Sequence, residues 1–96
     1  MSTTALARFL AKVTVLSNGC WEWTGALSSD NYGRFKLGGK CVQTHRLAFE
    51  HWRGQIAGDL VIDHICCNSK CCNPMHLEVV SQQVNLMRKF YRRQVV

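Results

Sequence analysis

Acidic residues are scarce in this sequence. Six Asp and Glu stand against twelve Lys and Arg in 96 residues, a formal charge of +6. A surplus of that size on a small chain points to a polyanionic partner, most simply nucleic acid. Long apolar runs are missing as well. No stretch approaches the roughly 18 uninterrupted apolar residues of a membrane span, so no membrane partner is expected. The opening residues, MSTTALARFLAKVTVLSNGC, have no charged n-region, and Arg8 and Lys12 interrupt their apolar run. They read as a short amphipathic helix rather than a signal peptide. Repeats, linkers and low-complexity runs are also lacking, which leaves one domain over 1–96. Its parts are a helix and turn over 1–19, strands, a hairpin and a helix over 20–59, and a main motif over 60–93.

A core built from a chain this short is marginal and commonly needs a staple. The candidates are Cys20, Cys41, Cys66, Cys67, Cys71 and Cys72. In an oxidising compartment they would suggest a disulfide-stapled interaction domain. A reducing cytoplasm with metal-bound thiolates is the reading favoured here.

The stretch Asp63 to Asn85, DHICCNSKCCNPMHLEVVSQQVN, carries most of the chemistry. Cys66, Cys71 and His76 recur every five residues and supply three zinc ligands locally. Structural zinc takes four ligands, commonly three cysteines and a histidine, so a distant cysteine would complete the shell. Cys20, beside the turn Ser17-Asn18-Gly19, is the expected fourth, with Cys41 the alternative. Cys67 and Cys72 repeat the same spacing and are expected to be small buried apolar residues. Asp63, His64 and Asn85 bracket this site with imidazole and hard oxygen groups. A histidine suits proton removal from an attacking water, while a carboxylate and an amide oxygen suit Mg²⁺ or Mn²⁺. On a regular strand Asp63 and His64 face opposite ways, so their joint action asks for a bend at the strand end.

The remaining elements frame that stretch. Residues 3–13 read as a helix capped by Thr3 or Thr4, with Leu6, Phe9, Leu10 and Val13 on one side. Residues 20–24 alternate like a strand. Tyr32 to Leu37 and Cys41 to Thr44 read as strands joined through Gly38-Gly39, a strong hairpin signal. Arg34 and Lys36 share a face there, with Lys40 beside the turn, and such a ribbon can enter a DNA groove. His45 to Arg53 reads as a buried helix ended by Gly54, with His45 and His51 as structural histidines on its flank. Residues 60–62 and 77–80 form short strands, and Ser81 caps a last helix reaching about residue 93. On it Val84, Leu86, Met87, Phe90 and Tyr91 fill one arc; Asn85, Arg88, Lys89, Arg92 and Arg93 fill the other.

Asp63-His64, Asn73-Pro74-x-His76-Leu77 and Asn85 together resemble the HNH, or His-Me finger, endonucleases. HICCNSKCCNPMHL is similar to the zinc-bearing His-Cys box homing endonucleases, and GCWEWTG, NYGRF and THRLAFEHWRG to small phage and homing HNH proteins. The resemblance implies an α+β, zinc-stabilised ββα-metal fold with an upstream antiparallel hairpin and flanking helices. It implies a DNA endonuclease in which His64 is the general base and Asn85 binds one divalent ion. Asp63 would be a second ligand, as in many HNH enzymes, although the His-Cys box group is not expected to have an acid there. Asn73 would brace the loop and the histidine. Cys20, Cys66, Cys71 and His76 would hold structural zinc. Arg34, Lys36, Lys40 and Arg46 would contact phosphate or groove, beside the basic face of the last helix. A homodimer or a larger phage or mobile-element complex, in the cytoplasm of the host cell, is the implied setting. The rival reading is a zinc-stabilised nucleic-acid-binding module without turnover.

Overall fold

The computed structural model describes residues 1–95, with side chains as far as Arg92. The fold is α+β: among the described residues one α-helix precedes two two-stranded antiparallel ribbons, a second follows them, and a third ribbon leads into the last helix.

The first helix, α1 (Thr3–Leu10), is capped by Ser2, whose Oγ accepts from the Ala5 N–H at 3.1 Å. The sequence places that cap at Thr3 or Thr4, which instead lie within the first turn. The helix also stops short of residue 13, because Val13–Val15 forms β1 and pairs with β2 (Trp21–Trp23). β-branched residues fit a pleated surface better than a helix, and the tryptophan strand supplies the partner. Between the two strands Gly19 takes φ +88°, and Asn18 Oδ1 accepts from the Cys20 N–H at 3.0 Å.

The second ribbon joins β3 (Arg34–Leu37) to β4 (Lys40–Gln43). Gly38 and Gly39 both have positive φ, +57° and +80°, as a type I′ turn requires. Thr44, expected in the strand, opens helix α2 (Thr44–Arg53), and Gly54 follows it at φ +106°. The Thr44 N–H donates to the Gly33 carbonyl at 3.0 Å. A Cβ on Gly33 would collide with Thr44 Oγ1 and the Trp23 ring, so only glycine lets these segments approach so closely. Phe9, Trp23, Phe35, Ala48 and Cys72 form the core between α1, the first two ribbons and α2. Its rings pack tightly, Phe9 lying 5.1 Å from Trp23 and 5.6 Å from Phe35 between centroids.

The third ribbon pairs β5 (Leu60–His64) with β6 (Leu77–Ser81), placing Asp63 opposite Glu78 and His64 opposite Leu77. The loop between them is fastened to β2, where the Trp23 N–H donates to the Lys70 carbonyl and the Cys72 N–H to that of Trp21, both at 2.9 Å. Ser81 Oγ accepts from the Val84 N–H at 3.2 Å at the start of α3 (Gln82–Val95). Amphipathic packing would turn the apolar arc of this helix inward. The reverse occurs. Arg88 and Arg92 reach the third ribbon, while Leu86, Met87, Phe90 and Tyr91 stay 59–67 % exposed. The buried carboxylate of Asp63 supplies the attraction that outweighs the apolar pattern.

Candidate metal centre and the adjoining cleft

Four side chains from three segments meet where the cysteine loop lies against the first turn. Cys20 leads into β2, Cys66 and Cys71 belong to the loop, and His76 ends a 3₁₀ turn over Pro74–His76. Asn73 organises that turn. Its Oδ1 accepts from the Met75 N–H at 2.9 Å, and its Nδ2 donates to the Gly19 carbonyl at 2.7 Å. Neither bond reaches His64, so Asn73 braces the loop that carries His76. One ligand atom from each of Cys20, Cys66, Cys71 and His76 lies within 4.8 Å of the others. The sulfurs of Cys20 and Cys71 stand 3.6 and 3.7 Å from His76 Nδ1. Those spacings match the edges, roughly 3.5–3.8 Å, of a tetrahedron with zinc–nitrogen and zinc–sulfur bonds of about 2.1–2.3 Å. The donor set therefore fits zinc. Burial pushes the Cys71 thiol up to about 12 and raises that of Cys66, so thiolates there require a compensating cation.

The other cysteines stand apart from this cluster. Cys41 is exposed on β4. Cys72 is buried in the core, its thiol 3.4 Å from the Trp21 carbonyl. Cys67, expected to be buried, is exposed; its backbone takes a left-handed φ of +60°, which turns the side chain away from the cluster.

Asp63, His64 and Asn85 line one cleft of about 280 Å³, together with Tyr32, Ile62, Cys67, Ser69, Lys89 and Arg92. Both Asp63 and His64 remain in register with β6 while they do so, and no break in pairing is needed. His64 Nε2 lies 3.1 Å from the Cys71 carbonyl. A carbonyl only accepts, so Nε2 carries the proton and Nδ1 keeps its lone pair. Burial lowers the His64 pKa below its ordinary value, against the opposing pull of that carbonyl and of Asp63. Tyr32 stacks on His64 with centroids 5.6 Å apart, and His45 packs against it at 4.8 Å.

Asp63 is 2 % exposed and accepts from Arg88 at 3.0 Å and from both terminal nitrogens of Arg92 at 3.1 Å. Burial alone would raise its pKa, but the two guanidinium groups more than offset this and hold it below the usual value. Its charge is thus already matched within the chain. Asn85 is the opposite case, because its Oδ1 is buried with no hydrogen-bond partner. An orphaned amide oxygen on the wall of a cleft fits a hard cation.

The sequence places cations on the face of α3, yet Arg88 and Arg92 have intramolecular partners, and Arg88 also meets Glu78 at 3.2 Å. Lys89 lines the cleft and is exposed. The Arg93 side chain lies outside the described residues. Arg34, Lys36, Lys40 and Arg46 are exposed. Tyr32, on the cleft wall, and His45, packed against His64 behind it, are neighbours of the imidazole that sequence reasoning missed as site residues. The one available signal for His45 was a polar residue at the start of a helix otherwise patterned for burial.

The model describing the HNH endonuclease family matches residues 42–87, which include Asp63, His64, the cysteine loop and Asn85. Over 75 residues the chain is 31 % identical to the uncharacterized gene 5.3 protein of Enterobacteria phage T3, covering 72 % of this chain and 74 % of that one. The chain belongs to the HNH endonuclease family. Relatives in Escherichia phage T7 include Protein 7.7, 39 % identical over 66 residues (69 % of this chain, 51 % of that protein). Protein 2.8 of the same phage is 35 % identical over 80 residues (81 % and 54 %). The chain therefore spans about half the length of these two T7 relatives. Among solved structures, one describing DNA binding and cleavage by the HNH homing endonuclease I-HmuI matches with a TM-score of 0.52 at 25 % identity. That match covers 88 % of this chain and 44 % of the homing enzyme.

Proposed function

We propose that this chain is an HNH domain over 1–96 that hydrolyses DNA phosphodiester bonds, with His64 as general base. The observation that carries the reading is the pairing of an oriented imidazole with an orphaned amide oxygen on one cleft: His64 Nε2 on the Cys71 carbonyl, and Asn85 Oδ1 without a partner.

His64 is held neutral by burial, and its Nδ1 lone pair takes the proton of the attacking water. Tyr32 and His45 limit the rotation of its ring. Asn85 Oδ1 would hold a single Mg²⁺ or Mn²⁺, with the Asp63 carboxylate, in exchange for its bonds to Arg88 and Arg92, as the second ligand. When bound, that ion stabilises negative charge developing on the scissile phosphate and the departing 3′ oxygen. Cys20, Cys66, Cys71 and His76 hold structural zinc and keep the loop that bears the Cys71 carbonyl in place. Arg34, Lys36, Lys40, Arg46 and Lys89 hold the DNA backbone, which makes affinity steeply salt dependent. The setting of this reading is the cytoplasm of a phage's host cell, supported by the likeness to phage proteins. Cutting both strands at once would call for a second copy or a larger complex.

Supercoiled plasmid incubated with Mg²⁺ tests the proposal, comparing the native chain with His64→Ala at matched zinc content. Nicked or linear product that disappears in the variant is the expected result. A chain that binds DNA but leaves it intact in both Mg²⁺ and Mn²⁺ would instead be a zinc-stabilised nucleic-acid-binding module.

A further inference from the structure

Beside the His64 cleft lies a second one, of about 190 Å³, lined by Tyr32, Gln43, His45, Arg46, Val61, Ile62 and Asn85. The two clefts share Tyr32, Ile62 and Asn85, so a strand crossing His64 would run on into the second.

The groups gathered there are donors. Helix α2 is ten residues long, and Gln43, which precedes it, makes no side-chain capping bond. The Thr44 N–H is taken by the Gly33 carbonyl, and helix geometry leaves those of His45 and Arg46 without a helical acceptor. The positive end of the helix dipole adds to them. An independent observation comes from His45. The residue is 6 % exposed, yet its Nδ1 has no hydrogen-bond partner. Buried polar atoms in native proteins are seldom left so, and one on a cleft wall marks a place for a ligand. Arg46 contributes a guanidinium of which only Nε is engaged among the described residues, with Glu50 at 3.2 Å.

We propose that the N-terminus of α2, together with His45 Nδ1–H and Arg46, seats a second backbone phosphate of the bound nucleic-acid strand, next to the one at His64. The inference rests on the reading that DNA is the substrate and adds where its neighbouring phosphate is held. A phosphodiester oxygen only accepts, and the backbone amides, the imidazole N–H and the guanidinium are all donors to it. His45 needs no charge for this, since the neutral Nδ1–H tautomer already donates.

The test uses amide NMR on the zinc-loaded chain with no other divalent ion added, titrated with inorganic phosphate and then with a short DNA duplex. Saturable shifts of the His45 and Arg46 amides with DNA are expected. Arg46→Ala, at an exposed position, should weaken DNA binding severalfold and reduce the salt slope by about one. His45→Phe, checked for full zinc content, should weaken it while retaining a ring. Amides that ignore DNA, or variants with native affinity and salt slope, would overturn the proposal. A response to inorganic phosphate alone would also overturn it, leaving a small-anion site. The two readings fail separately. Binding through α2 without plasmid cutting retires the nuclease, whereas cutting with an unaltered Arg46→Ala retires only the phosphate seat.

Discussion

His64 and the sulfur cluster are joined through a single residue, Cys71. The carbonyl oxygen of Cys71 lies 3.1 Å from His64 Nε2, while its sulfur lies 3.7 Å from His76 Nδ1 among the four clustered ligands. Removing zinc should therefore disturb the imidazole as well as the fold. A structural site of this type contributes on the order of 10 kcal/mol to folding. Chelation should abolish the cooperative thermal transition seen by circular dichroism and, with it, DNA cleavage. Zinc returned in stoichiometric amount should restore both.

Cys20 is buried against His76, and Cys41 is exposed on the second ribbon. Native mass spectrometry of Cys20→Ser should show loss of the bound zinc, and Cys41→Ser should keep one ion per chain. Zinc loss from the Cys41 variant with retention in the Cys20 variant would reverse the ligand assignment.

The imidazole of His45 carries a pH dependence with a definite sign. Burial first, then His64 and Arg46, lower its pKa from 6.5 to about 3; the ring of Tyr32 also faces it. The unfolded chain takes up a proton below 6.5, and the folded chain does so only near 3. The stability this group contributes is therefore fully present above pH 6.5 and is lost as pH falls from there toward 3. Between pH 7 and pH 5.5 the native chain should lose about 1 kcal/mol more than His45→Phe, read from urea midpoints of both. Equal losses in the two proteins would remove His45 as the cause.

Gly33→Ala tests the close approach of the Gly33 backbone to the side chains of Thr44 and Trp23. The added methyl meets Thr44 Oγ1 and the indole of Trp23, neither of which has room to retreat from the core. Overpacking of this kind costs about 1–3 kcal/mol, and a clear fall in melting temperature is expected.

Asp63→Asn removes the charge that Arg88 and Arg92 share. Each arginine side chain is about one-third exposed, so solvent partly compensates, and a lower urea midpoint is expected. Mn²⁺ affinity followed by electron paramagnetic resonance separates two roles for the carboxylate. A fall in affinity assigns it to the ion, and an unchanged value assigns it to anchoring α3.

Much of this arrangement is legible from short-range signals. Gly38-Gly39 announces the hairpin, Gly54 the end of α2 and Ser81 the start of α3. The five-residue spacing of Cys66, Cys71 and His76 picks out neighbours that the fold gathers with Cys20. What is not legible depends on distant partners. Val13 leaves the first helix because Trp21–Trp23 offers it and the two residues after it a ladder. Tyr32 and His45 reach His64 only after the second ribbon and α2 pack against the third. The orientation of α3 follows from one buried carboxylate, which a helical wheel of α3 alone does not contain.

The three ribbons never merge into one sheet, and this sets the tempo of assembly. Each pairs segments that are close in the chain, and isolated hairpins close within about 1–10 μs. The contact between Cys20 and His76 spans 56 residues, so its closure costs more chain entropy than that of any ribbon. With zinc bound at the four clustered ligands as proposed, the ion would lock together turns that the chain forms locally. Metal supply, rather than the speed of the polypeptide, would then decide when each new molecule becomes competent.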